Sequence, residues 1–154
     1  MRGGTIVCGV RESLDGRSAA QLGCALSARL GLRLVLVHVV DGVRPGTEGS
    51  LTARQRRTGG EHILNAVARE IETRPEKRVV LGDRVERLAQ VAAEEGADLI
   101  VLGSRSTGIG GRNLRCTLAS ELETATPVPV VVAPPSTRKR SNHRLSLAAN
   151  ASAR

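Results

Sequence analysis

The 154-residue sequence contains no Phe, Tyr or Trp. Its core must therefore be assembled from Val, Leu, Ile and Ala, and it offers no aromatic face on which a single-stranded base could stack. Cysteine is scarce as well. Cys8, Cys24 and Cys116 are odd in number and form no C-x-x-C pair, which argues against a disulfide framework or a zinc site and fits a reducing cytoplasm. Long apolar runs are also missing. The stretch Ile6–Val10 ends at Arg11 and is too short for a signal peptide, and no segment approaches the roughly 20 apolar residues of a membrane helix. A membrane is not an expected partner.

What is present suits one domain. A chain of this length buries about 70% of its unfolded surface, and the apolar fraction of 40% and charged fraction of 25% are ordinary for a globular protein. The formal charge of +8 is unevenly spread. Arg138, Lys139, Arg140, Arg144 and Arg154 fall in the acid-free stretch 136–154. We therefore expect a folded domain over 1–135 and a basic disordered tail over 136–154. Two readings of the tail stand: a solvated chain end, or a contact for nucleic acid or an acidic partner.

Along the chain, short apolar runs alternate with helical patterns. Thr5–Val10 reads as a buried strand, and Leu14–Leu30 as a helix with Ala19, Leu22, Leu26 and Leu30 at helical spacing, capped by Ser13 or Asp15 and stopped by Gly31. Leu34–Val40 is continuously apolar, the pattern of a strand covered on both faces, and Asp41–Ser50 is a glycine-containing loop. Leu51–Thr73 is expected to be a longer helix closed by Pro75, with Gly59-Gly60 weakening its first half. Arg78–Leu81, Asp98–Leu102 and Val128–Val132 read as strands, and Val85–Glu95 and Leu114–Ala125 as helices. Strands alternating with helices imply a parallel α/β sheet, doubly wound and Rossmann-like, with helices on both faces.

The chain is organised around Ala97–Ala133, where a strand is followed by the glycine-rich loop Gly103–Arg112, a helix and a second strand. Such a loop, between a strand's carboxyl end and a helix start, offers free N–H groups and the favourable helix dipole to an anion. It is not a P-loop, because Ile109-Gly110 stands where Lys-Ser/Thr is required, and no G-x-G-x-x-G follows the first strand. His38 lies in an apolar strand and His62 on a helix, and Ser104, Arg105, Ser106 and Thr107 have no general base nearby. No enzyme constellation emerges, and the sequence requires no metal.

Five stretches together resemble the universal stress protein family: IVCGVRES (Ile6–Ser13), LVLVHVVD (Leu34–Asp41), LGDRVERL (Leu81–Leu88), ADLIVLGSR (Ala97–Arg105) and TLASELETATPVPVVV (Thr117–Val132). The resemblance implies five parallel strands in the order 3-2-1-4-5, with a ligand crevice between the first and fourth. It also implies a role in stress survival, and a homodimer paired through the fifth strand (Val128–Val132). One branch of the family binds ATP and another does not. The ATP branch's pattern is Gly, two residues, Gly, nine residues, Gly, then Ser or Thr; here those positions are Gly103, Ser106, Cys116 and Thr117. The family's acidic residue after the first strand falls on Arg11.

These departures have physical weight. Glycine lets a phosphate approach the backbone, whereas Cys116 places a sulfur just before the helix that should meet it. Thr117 reads equally as a phosphate ligand or as the N-cap of Leu118–Ala125. Arg11, near Arg105, Arg112 and Arg115, either binds an anion directly or pairs with Glu12 or Asp41 and occupies the pocket. Cys116 reads either as an oxidant-responsive thiol or as an inert buried one. The expected nucleotide contacts are Gly9, Arg11, Val39, Leu102, Gly103, Arg105, Ser106, Cys116, Thr117 and Leu118. Two functions follow: a regulatory or scaffold module for stress response with ATP binding weakened or lost, or a working ATP- or AMP-binding stress protein.

Overall fold

Continuous apolar runs become the middle of a sheet, because only a strand covered on both faces tolerates apolar side chains pointing both ways. The computed structural model describes residues 3–11, 14–104 and 115–135. Its elements are β1 (Thr5–Gly9), α1 (Leu14–Leu30), β2 (Arg33–Val40), α2 (Leu51–Arg69), β3 (Glu76–Leu81), α3 (Arg84–Glu94), β4 (Ala97–Gly103), α4 (Arg115–Ala125) and β5 (Val130–Ala133). They form one five-stranded sheet in the order β3-β2-β1-β4-β5, all parallel. The expected tail 136–154 lies outside the described residues.

Alternation along β1 divides the core in two. Ile6, Cys8 and Val10 face Ala19 and Ala20 of α1 and Leu64 and Val67 of α2. Val7, with Val35, Val37, Ile100 and Leu102, faces Leu88, Val91 and Ala92 of α3 and Leu122 of α4. The chain changes faces after β3, when it crosses from the far edge of the sheet back to the other side of β1. That reversal puts the ends of β1 and β4 at the topological switch point.

Helix ends follow local chemistry. The Ser50 side chain accepts from the Ala53 N–H at the start of α2, and Asp83 accepts from the Glu86 N–H at the start of α3. Gly31 and Gly96 leave α1 and α3 at φ of +66° and +60°, a conformation costly to other residues. At the amino ends of the strands, Arg33 binds Glu76 (2.8 Å) and Glu95 (2.6 Å), while Arg78 binds Glu94 (2.7 Å) and Glu95 (3.1 Å). This network ties β2, β3 and α3 together on the side away from the switch point. The carboxylates hold both guanidinium groups more firmly protonated than usual, Glu76 acting most on Arg33 and Glu94 most on Arg78.

Several boundaries differ from expectation, β3 among them, which starts at Glu76 rather than Arg78; two further shifts have a clear local cause. α2 ends at Arg69 rather than Thr73, because β3 starts at Glu76 and the chain needs the intervening residues for the crossover. Ile71 still packs on the core after leaving the helix, and Pro75 keeps Arg74 out of helical geometry. β5 starts at Val130 rather than Val128, because Pro127 and Pro129 have no N–H to donate. The Pro129 carbonyl nonetheless accepts from the Ile100 N–H at 2.9 Å, which begins the pairing.

The paired glycines of α2 have opposite roles. A Cβ on Gly60 would lie 2.8 Å from His38 Cδ2 and 3.1 Å from Val79 Cγ1, so its absence lets the helix sit against β2 and β3. Nothing lies within 4 Å of a Cβ built on Gly59. Denaturant unfolding is therefore expected to show Gly59→Ala stabilising by about 0.5–1 kcal/mol and Gly60→Ala destabilising by about 1–3 kcal/mol.

Candidate functional site

The fold brings the carboxyl ends of β1, β2 and β4 together with the start of α4. Gly9 closes β1, and beyond it the Val10 N–H still pairs with the Val37 carbonyl at 2.8 Å. His38 Nδ1 lies 2.9 Å from the Val10 carbonyl, which can only accept, so Nδ1 carries the proton. Arg11 is half-buried at the turn into α1. Its backbone is pressed against that helix, since a Cβ on Gly16 would fall 2.2 Å from the Arg11 carbonyl oxygen.

Four expected contacts share one apolar wall. Leu102 is buried, and Val39 and Leu118 pack on the same cluster together with Leu88 of α3. Gly9 belongs to this wall too. A Cβ there would lie 3.0 Å from Leu102 Cδ2 and 3.7 Å from Leu88 Cδ2, so the space its missing side chain frees is taken by leucine. Gly103 ends β4. Arg105 and Ser106 lie outside the described residues.

The start of α4 differs from one of the two readings of Thr117. The helix begins at Arg115, so Cys116 and Thr117 belong to its first turn, and Thr117 does not precede the helix as an N-cap of Leu118–Ala125 would. The N–H groups of that turn have no partner within the helix. The side chains of Cys116 and Thr117 lie outside the described residues.

Charges around the site are partly committed. Asp41, one expected partner of Arg11, sits 3.6 Å from Arg84 and accepts from the Gly42 N–H through its carboxylate at 2.9 Å. Its backbone carbonyl takes the Arg56 guanidinium. Glu12, the other expected partner, lies outside the described residues. Burial pushes the Cys8 thiol up to about 12, so it remains protonated and inert. Among the described residues, no group of three or more His, Cys, Asp or Glu side chains could hold a metal ion.

Two residues with no expected site role stand at the site's edge. His38 holds the chain just before Arg11, and Ser104 is 2% exposed with an Oγ that has no hydrogen-bond partner among the described residues. Ser104 borders an open pocket of about 360 Å³ lined by Ala119 and Ser120 of α4 and by Val132 to Pro135. Among the described residues, no charged side chain lines it. The position of Ser104 directly after Gly103 was the only available signal, and it does not reveal an unpaired hydroxyl.

Residues 4–134 match the model of the universal stress protein family. The chain belongs to that family. No curated protein matches the sequence. Among solved structures, a universal stress protein family member from Burkholderia pseudomallei is 27% identical, with a TM-score of 0.65 over 86% of this chain and 96% of its own. The Archaeoglobus fulgidus universal stress protein in complex with dAMP is 17% identical, with a TM-score of 0.60 over 87% and 100%. The Arabidopsis thaliana family protein with AMP bound is 18% identical, with a TM-score of 0.63 over 88% and 94%. The latter two universal stress proteins share the fold at low identity. No helix among the described residues is long and apolar enough to cross a membrane.

The packing role of Gly9 can be separated from any ligand. Gly9→Ala is expected to cost about 1–2 kcal/mol in nucleotide-free protein, and less in a Leu102→Ala background, where the facing methyl is gone. A double-mutant cycle of unfolding free energies checks this.

Proposed function

We propose that this universal stress protein is a non-catalytic stress-response module, acting in a reducing cytoplasm, whose adenine-nucleotide site is weakened and which works chiefly through partners. The observation that carries the reading is the start of α4. A phosphate would meet the N–H groups of its first turn, and Cys116 stands in that turn where the ATP-binding pattern has glycine. Ser106 replaces a second glycine and Arg11 an acid. Leu102 and Leu88 occupy the space beside Gly9, which leaves less room at the switch point. The unpaired thiols of Cys8 and Cys24 agree with a reducing compartment.

A second reading is retained nucleotide binding, with AMP or ATP as ligand. It is supported by Thr117 in the first turn of α4, by the apolar wall of Val39, Leu102 and Leu118, and by the dAMP and AMP complexes of the two relatives. Titration calorimetry separates the two. With AMP, and with ATP and magnesium, the wild type is expected to bind at least about tenfold more weakly than the Ser106→Gly/Cys116→Gly double variant, a difference of ~1.4 kcal/mol. A wild type that purifies with nucleotide bound would sink the weakened-site reading.

The proposal includes a homodimer formed through the free edge of β5. Val132 on that edge is 40% exposed although apolar, and the strand is a row of three valines and an alanine. Sedimentation is expected to show twice the chain mass for the wild type and a monomer for Val132→Asp. An unchanged mass in the variant would remove β5 as the interface.

A further inference from the structure

Among the described residues the sheet has a second free edge, β3, and it is built differently. β3 is six residues long, and its charges Glu76, Lys77 and Arg78 all fall in its first half. The second half, Val79 to Leu81, is apolar and half-buried, without a guarding charge. Natural edge strands usually carry charge, proline or a bulge against unwanted pairing. This one is guarded over half its length only.

Beside that edge runs a groove of about 450 Å³. Its floor is Leu64 and Val79, with Val80 bordering it, and its far wall is the row Arg57, Glu61 and Asn65, spaced four apart along α2. The Lys77 ammonium donates to Asn65 Oδ1 at 2.8 Å, which pins one end of the helix to the start of the strand. Gly60 packs on Val79 in the middle. The helix therefore runs against the strand direction, and Arg57 lies at the Val80 end. From Arg57 to Asn65 is roughly 12 Å at the helical rise, and four strand residues span roughly 13 Å. Two cations thus flank the groove one short peptide apart, with an acid between them.

Lys77 keeps two free donors after its bond to Asn65, and Arg57 is exposed. Arg78 is engaged by Glu94 and Glu95 and contributes little to the groove. We infer that the β3 edge accepts an extended acidic peptide as a sixth strand. Its main chain would pair with β3, acidic residues four apart would meet Lys77 and Arg57, and the residue midway between them would be apolar, lying over Val79 beside Glu61. An acid at that middle position would face Glu61 and be disfavoured. Nucleic acid fits less well, since the floor is aliphatic and the sequence has no aromatic residue to stack a base.

The test is fluorescence anisotropy on the full-length protein with the labelled peptides TETVTET, TKTVTKT and TETETET. TETVTET is expected to bind best, by about tenfold over either alternative. The surface variants Arg57→Glu and Lys77→Glu should each weaken it by a similar factor and improve TKTVTKT, with circular dichroism showing an unchanged fold. N-methylation of alternate TETVTET amides should abolish binding if the main chain pairs with β3. Equal affinity for the acidic and basic peptides, indifference to the charge reversals, or binding that survives N-methylation would overturn the inference. So would displacement of TETVTET by a single-stranded oligonucleotide, or a peptide-free dimer dispersed by Val80→Lys, which would give the edge to another occupant.

Discussion

The structure depends on β1 being paired on both sides. Ile6, Val7 and Cys8 are completely inaccessible, with β2 along one edge and β4 along the other. Each residue therefore commits both its backbone and its side chain. The helices among the described residues pack two against each face of the sheet that this strand centres, and the site at its carboxyl end is positioned by the same pairing. Without aromatic residues the layers cannot be filled by bulk, so they close by approach. Ala19 and Ala20 of α1 and Gly60 of α2 are the small residues through which helices reach the sheet. Dense packing of small aliphatic groups leaves little tolerance for an added methyl.

Much of this was legible in the sequence. The helix Leu14–Leu30 has its expected bounds, and the strand order follows the family resemblance. Legibility failed where the deciding interaction joins residues distant along the chain. The end of α2 was misplaced because Ile71 carries the helical pattern forward while the crossover to β3 requires the chain to leave. Gly60 looked like a weakness in its helix, and only the contact with His38 and Val79 turns it into a requirement. The late start of β5 was readable in principle from Pro127 and Pro129, since a residue without an N–H cannot donate to a ladder.

Of the expected nucleotide contacts, the structure brings an apolar group together. This wall assembled from residues far apart in sequence, Val39, Leu102 and Leu118, because a switch point gathers strand ends irrespective of chain order. Gly9, expected as a ligand contact, also packs closely beside Leu102. His38 was assigned to the core and holds the corner before Arg11 through the Val10 carbonyl. In each case the residue type was informative and the partner was not, because a partner is a property of three-dimensional neighbourhood.

The central place of β1 also bears on how the chain is made. Its neighbour β4 begins at Ala97, more than eighty residues after β1 ends. While the ribosome is still synthesising the middle of the chain, β1, β2 and β3 can already associate, but one side of the most buried strand stays open. That nascent intermediate presents an unpaired, uncharged edge until Ala97–Gly103 emerges to close it. Contacts of such sequence separation also slow folding. The arrangement that makes the finished sheet secure thus makes its half-built form the most vulnerable stage in the molecule's life.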